Sequence, residues 1–254
     1  MAEDQQNTNI YGEVVPALEP LSTPKRALAI GAHPDDIEFG SGGTLAMWAA
    51  AGCRVTMLVV TDGSKGSWDP DADPARLAET RRMEQQAAAT QLGASEVLHL
   101  GHVDGELEYT MALREEMCRH IREIRPDVVL SHDPWQRYQL HPDHRATGWA
   151  VMDGVIAARD HLFFPGQGLD AHRPTAVLLW SADEPDHWED ISSSFPHKID
   201  ALLCHTSQGT STMGGAERND DNLSAFLDRM SGWARKQGAP AGLEVAESFK
   251  RITP

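Results

Sequence analysis

The sequence predicts an α/β fold: a three-layer α/β/α sandwich in which helices cover both faces of a mostly parallel sheet. Short apolar runs alternate with helix-period segments and are joined by short loops, the pattern of successive βαβ units. His, Asp and Glu recur just beyond the carboxyl ends of those runs, where open parallel sheets bind ligands. The 254 residues suffice for a full core in one domain, and no segment repeats on a domain scale.

Taken in order, residues 1–24 are polar and carry Pro16, Pro20 and Pro24, as expected of an N-terminal arm. Residues 25–254 are expected to form the single domain, with a C-terminal extension from about residue 207. Arg26 to Ala32 reads as a buried strand, ended by Gly31, and Thr44 to Ala51 as a helix. Between them, Gly40, Gly42 and Gly43 suit close backbone packing, since no Lys-Ser/Thr follows to make a phosphate loop. Arg54 to Val60 is β-branched and apolar, a central strand that runs into Thr61-Asp62-Gly63-Ser64-Lys65-Gly66. After the loop from Trp68 to Pro74, Ala75 to Leu92 has helical spacing, with Gly93 as its stop. A third strand, Val97 to Leu100, leads to Gly101-His102-Val103-Asp104-Gly105, and a helix from Met111 to Arg125 stops at Pro126. Val128 to Ser131 is a fourth strand, followed by His132 and Asp133; Ala176 to Trp180 is a fifth. Helices are expected from His141-Pro142-Asp143-His144 to about Ala158, over Ser194 to His205, and over Asn222 to Lys236.

Composition narrows the partners. A net charge of −16 argues against nucleic acid or an anionic membrane. No apolar run has membrane-spanning length and no signal-peptide pattern opens the chain, so a cytoplasmic protein is expected. Cys53, Cys118 and Cys204 are far apart, without a CxxC pair, as expected of free thiols in a reducing compartment.

The residues with chemistry in them form two related elements. His33-Pro34-Asp35-Asp36 and His141-Pro142-Asp143-His144 each follow a strand-like segment and precede a helix, with Pro suited to the first helical turn. A parallel sheet brings the carboxyl ends of its strands to one edge, so the two elements can meet there. Together they can supply a His, Asp, His set for a divalent metal and still leave a carboxylate and a histidine for proton transfer. The alternatives are a capped turn at Asp35 and Asp36, and two histidines falling together on a solvated helix.

AHPDDIEFGSGGTLA, TDGSKG, Arg81-Met83-Glu84 with Leu92-Gly93, and HPDHRATG resemble the LmbE/PIG-L deacetylases, from about Ala27 to His205 and more weakly through Ala246-Glu247-Ser248-Phe249. The resemblance implies a Rossmann-like, LmbE-like sandwich and a zinc-dependent hydrolase that removes acetyl from an N-acetylglucosamine-type sugar or conjugate. Fe2+ or Co2+ would also suit such ligands. Carried over by position, the metal ligands are His33, Asp36 and His144, and Asp35 is the general base. His141 stabilises the oxyanion and protonates the leaving amine, with Asp143 as its carboxylate partner. Arg81 and Asp104 fall where sugar hydroxyls are contacted. Two departures stand out: Ile37 precedes Glu38, making Glu38 structural, and Gln139 stands where several sugar-active members have tyrosine, with Tyr138 beside it. Trp68, Trp135 and Tyr138 are loop aromatics that either stack on a sugar face or simply pack. The expected partner is a small N-acetylated sugar or glycoconjugate, and a homo-oligomer is compatible. An amidase acting on a thiol-conjugate or antibiotic-type amide, and a non-catalytic sugar-binding protein, remain open.

Overall fold

The computed structural model describes residues 21–215 and 219–254, so all but residues 21–24 of the expected arm lie outside the described residues. The apolar runs become strands because their side chains alternate between two covered faces. In β1 (Arg26–Gly31), Ala27 and Ala29 enter the core on one side of the sheet and Leu28 and Ile30 the core on the other. With β2 (Arg54–Thr61), β3 (Glu96–His102), β4 (Val128–His132) and β5 (Ala176–Trp180) it forms a parallel array in the order β3-β2-β1-β4-β5. The first core is completed by α1 (Asp36–Ala50), α2 (Pro74–Gln91) and α5 (Phe195–Leu203), through Leu45, Trp48, Ala88 and Ala201. The second is completed by α3 (Met111–Ile124) and α4 (Pro142–Arg159), through Met117, Ile121, Val151 and Val155. A smaller cluster joins α5 to α6 (Asp220–Gly238) through Ile199, Leu202, Phe226 and Met230. The expected α/β sandwich is thus the fold observed.

Local chemistry sets the helix ends. Pro74 opens α2, and the Asp73 carboxylate accepts the Ala75 N–H at 3.0 Å. Thr110 caps α3 through the Leu113 N–H at 3.1 Å, and α3 ends at left-handed Arg125, ahead of Pro126. α1 departs from expectation by starting at Asp36 instead of Thr44, so its glycines lie inside the helix. Each interior glycine costs about 1 kcal/mol relative to alanine. Here they allow close contact: a Cβ at Gly40 would overlap the Trp180 indole, and one at Gly43 would lie 2.7 Å from Ile191.

Two further strands complete the sheet. β6 (His187–Asp190) is its edge, and β7 (Ala246–Ile252) lies antiparallel between β5 and β6. Neither reads as a strand from apolar periodicity, because each buries charged residues that carry their own partners. His187 pairs with Glu189 at 2.7 Å, and Glu247 pairs with Lys198 of α5 at 2.5 Å. Strand order reverses between β1 and β4, and the crevice at that reversal faces the candidate site.

Candidate active site

The first turn of α1 and the first turn of α4 meet across this crevice. The link from β1 to α1 is so short that Asp35 adopts a left-handed backbone, φ 97°, a region in which Asp is better tolerated than most residues. Its N–H donates to Gln85 Oε1 of α2 at 3.1 Å. At the other turn, Pro142 occupies the first helical position and His141 Nδ1 accepts the Asp143 N–H at 3.3 Å. That cap leaves the His141 proton on Nε2.

Three candidate ligand residues converge. His33 Nδ1 lies 3.2 Å from His144 Nε2 and 3.2 Å from Asp36 Oδ2, while His144 Nε2 lies 3.2 Å from Asp36 Oδ1. Two imidazole nitrogens and a carboxylate facing one another this closely could hold a metal ion. In tetrahedral zinc with bonds of about 2.0–2.1 Å, neighbouring ligands stand about 3.3 Å apart, so the set fits a divalent ion. The described residues also offer the overlapping groups His33, His141, His144 and Asp36, His132, His144.

The opposite edge of His33 is held by acids. Its Nε2–H points to Asp143 Oδ2 at 3.1 Å and Asp104 Oδ1 at 3.2 Å, which leaves the Nδ1 lone pair for the ion. Although burial works to lower the His33 pKa, hydrogen bonds to Asp104, Asp143 and Asp36 push it up to about 12. This differs from the expected pairing of Asp143 with His141. The N–H groups of Gly105 (2.7 Å) and Leu107 (3.3 Å), in the loop after β3, turn the Asp143 carboxylate towards His33. Burial and then the charges of His33 and His144 hold the His141 pKa below the ordinary value, against Asp143.

Asp35 sits beside this centre with its carboxylate almost unengaged. The nearest cation is Arg81 NH2, 3.5 Å from Asp35 Oδ2. Burial raises its pKa, Arg81 opposes and Asp36 adds to the rise, giving about 6. Arg81 itself is 3% exposed and donates to the carbonyls of Pro34 (2.6 Å) and Gly63 (3.1 Å), which ties the β1 and β2 loops together under Asp35. Asp104 accepts the Lys65 N–H at 3.0 Å in addition to facing His33. Neither residue shows both its polar ends free towards the crevice.

Trp180 and Gln85 escaped the sequence reading, whereas His132, at the end of β4, is expected beside the site. The Trp180 Nε1–H donates to His132 Nδ1 at 3.1 Å and the Ala32 N–H to His132 Nε2 at 3.2 Å, and Asp36 Oδ2 lies 3.3 Å from that same Nε2. His132 stacks on His144 with ring centroids 4.3 Å apart. Its pKa, lowered to about 4 chiefly by burial, keeps it neutral. Gln85 bridges Asp35 to the buried Glu38 at 2.5 Å, giving Glu38 the structural place expected of it. The available signal for Trp180 was Gly40, whose missing side chain makes room for the indole.

A His and Asp centre that could hold a metal ion, at the switch point of a parallel sheet, is an arrangement suited to a hydrolase. The family model for PIG-L, described as GlcNAc-PI de-N-acetylase, matches residues 28–155. The chain belongs to this family of de-N-acetylases. It is 37% identical to the diacetylchitobiose deacetylase of Thermococcus kodakarensis over 193 residues, 75% of this chain and 72% of that protein. It is 34% identical to the 1D-myo-inositol 2-acetamido-2-deoxy-alpha-D-glucopyranoside deacetylase of Kineococcus radiotolerans over 173 residues, 56% of this chain and 48% of that protein. The solved N,N'-diacetylchitobiose deacetylase of Pyrococcus horikoshii superposes with a TM-score of 0.82 at 29% identity, covering 91% of this chain and 84% of that one. Among the described residues no helix is long and apolar enough to cross a membrane.

Proposed function

We propose that the protein is a zinc-dependent N-deacetylase that hydrolyses the acetamido bond of an N-acetylglucosamine-type sugar or its conjugate, yielding acetate and the free amine. The observation that carries this reading is the convergence of His33, Asp36 and His144 at 3.2 Å beside an unengaged Asp35 carboxylate. A metal held by those three residues would polarise the acetyl carbonyl and acidify a water.

The remaining steps belong to side chains of this protein. Asp35, not needed as a ligand, takes a proton from the attacking water. His141 presents Nε2–H from the α4 side, suited to hydrogen-bond the oxyanion that forms at the carbonyl carbon. The proton taken by Asp35 then goes to the departing nitrogen, either directly or through His141, and the water's second proton passes from the new carboxylic acid to the amine, giving acetate and the ammonium with no proton gained or lost overall. Asp143 and Asp104 hold His33 with its Nδ1 facing the ligand position, and Arg81 fixes the Pro34 carbonyl one residue before the base. In an N-deacetylation assay, metal-stripped protein reloaded with Zn2+ should release acetate from N-acetylglucosamine or N,N'-diacetylchitobiose. Absence of acetate from both, and from N-acetylglucosaminyl glycosides, with the metal bound would overturn the reading.

A further inference from the structure

We propose that Gln85 is a positioning residue for the base: with Arg81 it locks the Pro34–Asp35 peptide in the orientation that keeps Asp35 left-handed and apart from the ligand set. The catalytic consequence rests on the deacetylase reading above, and the lock itself does not.

Asp35 needs such a lock. Its φ of 97° and ψ of −26° lie on the side of backbone space that residues with a Cβ rarely adopt, and such a conformation persists only where its surroundings over-determine it. Turning over the peptide before Asp35 would change φ by about 180° and leave ψ at −26°, in the ordinary right-handed helical region. Helix α1 would then begin one residue earlier, and the Asp35 carboxylate would leave its present place. The relaxed alternative is a single peptide flip away.

Helix α2 opposes that flip. Arg81 and Gln85, both buried, are one turn apart on it and take the two polar groups of this same peptide. Arg81 Nη2 donates to the Pro34 carbonyl at 2.6 Å, and Gln85 Oε1 accepts the Asp35 N–H at 3.1 Å. A flipped peptide would turn its carbonyl to the Gln85 oxygen and its N–H to the Arg81 guanidinium, acceptor against acceptor and donor against donor. The Gln85 carboxamide could adapt only by turning over as well. Glu38 prevents this: its carboxylate can only accept, and it takes the Gln85 Nε2–H at 2.5 Å, so the oxygen stays towards Asp35. Glu38 is itself wholly buried, with His205 Nε2 at 3.7 Å from its Oε1. Beyond Asp35, its own carbonyl accepts the Phe39 N–H at 3.1 Å, which holds the next peptide. Among the described residues, no group of side chains close enough to share a metal includes Asp35.

The test uses the metal-loaded full chain. Gln85→Met keeps the bulk without the acceptor, and the exchange Glu38→Gln/Gln85→Glu keeps an acceptor towards Asp35 with a donor–acceptor contact behind it. Acetate release from N,N'-diacetylchitobiose is read beside metal content. Gln85→Met should lower kcat about 10- to 100-fold, the scale of a small misplacement of a reacting group, with KM within about threefold and the metal retained. The exchange should recover most of that loss, which a merely structural role would not predict. Should Gln85→Met fold poorly, Glu38→Gln alone serves, because a carboxamide at position 38 frees Gln85 to turn over: kcat should fall in it and rise again on adding Gln85→Glu. Unchanged kcat in the single variants, or no recovery in the exchange, would overturn the lock. If wild type released no acetate, the deacetylase reading alone would fall. A crystal structure of Gln85→Met would then judge the lock: a negative Asp35 φ supports it, and a retained positive φ refutes it.

Discussion

Helix α1 carries two buried charge clusters built on opposite rules. Midway along it, both oxygens of Glu247 are saturated. Oε1 accepts from Gly43 N–H at 2.9 Å and Lys198 Nζ at 2.5 Å, and Oε2 from Thr44 N–H at 2.8 Å and Thr44 Oγ1 at 2.6 Å. Lys198 donates in addition to the Phe39 carbonyl at 2.7 Å. At the first turn, Asp35 has only a cation at 3.5 Å. Asp35 and Glu247 are both buried, so burial alone does not distinguish them. What differs is saturation: a buried charge with every partner in place is scaffold, and one left short of partners is placed for chemistry.

The largest expected effect tests the unsaturated end. Asp35→Asn keeps the size and tolerates the left-handed backbone, and should cost about 10²–10⁴-fold in kcat/KM with metal content unchanged, the range for losing a general base. Retained activity, measured beside metal analysis, would erase the contrast. Next comes the saturated end. Glu247→Ala leaves the Lys198 charge buried without its counterion and should cost about 3–5 kcal/mol in denaturant unfolding. The double variant Lys198→Met/Glu247→Gln should recover much of that, and a Glu247→Ala protein as stable as wild type would show the pair is no scaffold. The smallest effect concerns the boundary between the two kinds of cluster. Asp143→Asn weakens the hold on His33 and should lower metal affinity by about 10–100-fold in chelator competition. Unchanged affinity together with a shifted basic limb of the pH–rate profile would instead restore the pairing of Asp143 with His141.

The same distinction explains what could be read in advance. The five parallel strands were legible because runs such as Ala27 to Ile30 and Val55 to Val60 need no partner beyond the core. β6 and β7 were not, since HWED and AESFKRI become strands only once His187–Glu189 and Lys198–Glu247 have paired. Within the site, His33, Asp35 and Asp36 lie in one turn and His141 and His144 in another, so local spacing brought each group to notice. The partner of Asp143 was hidden because backbone N–H groups of a distant loop, at Gly105 and Leu107, aim its carboxylate. Such donors leave no mark in the side-chain pattern. The place of Arg81 was hidden likewise, because its acceptors are the main-chain carbonyls of Pro34 and Gly63.

The seating of β7 between β5 and β6 also gives the protein a sense of time. The carboxylate that grips α1 at Gly43 comes 204 residues later in the chain. At about 5–20 residues per second, a ribosome needs roughly 10–40 s to make that stretch. Throughout that interval the nascent helix already bears Asp36 while its clamp does not yet exist, and β6 has no strand linking it to the sheet. A polypeptide released before Glu247 would carry every proposed metal ligand and still lack the grip on the helix that presents Asp36. Premature termination should therefore yield chains that are cleared by proteolysis and do not accumulate as a weak enzyme.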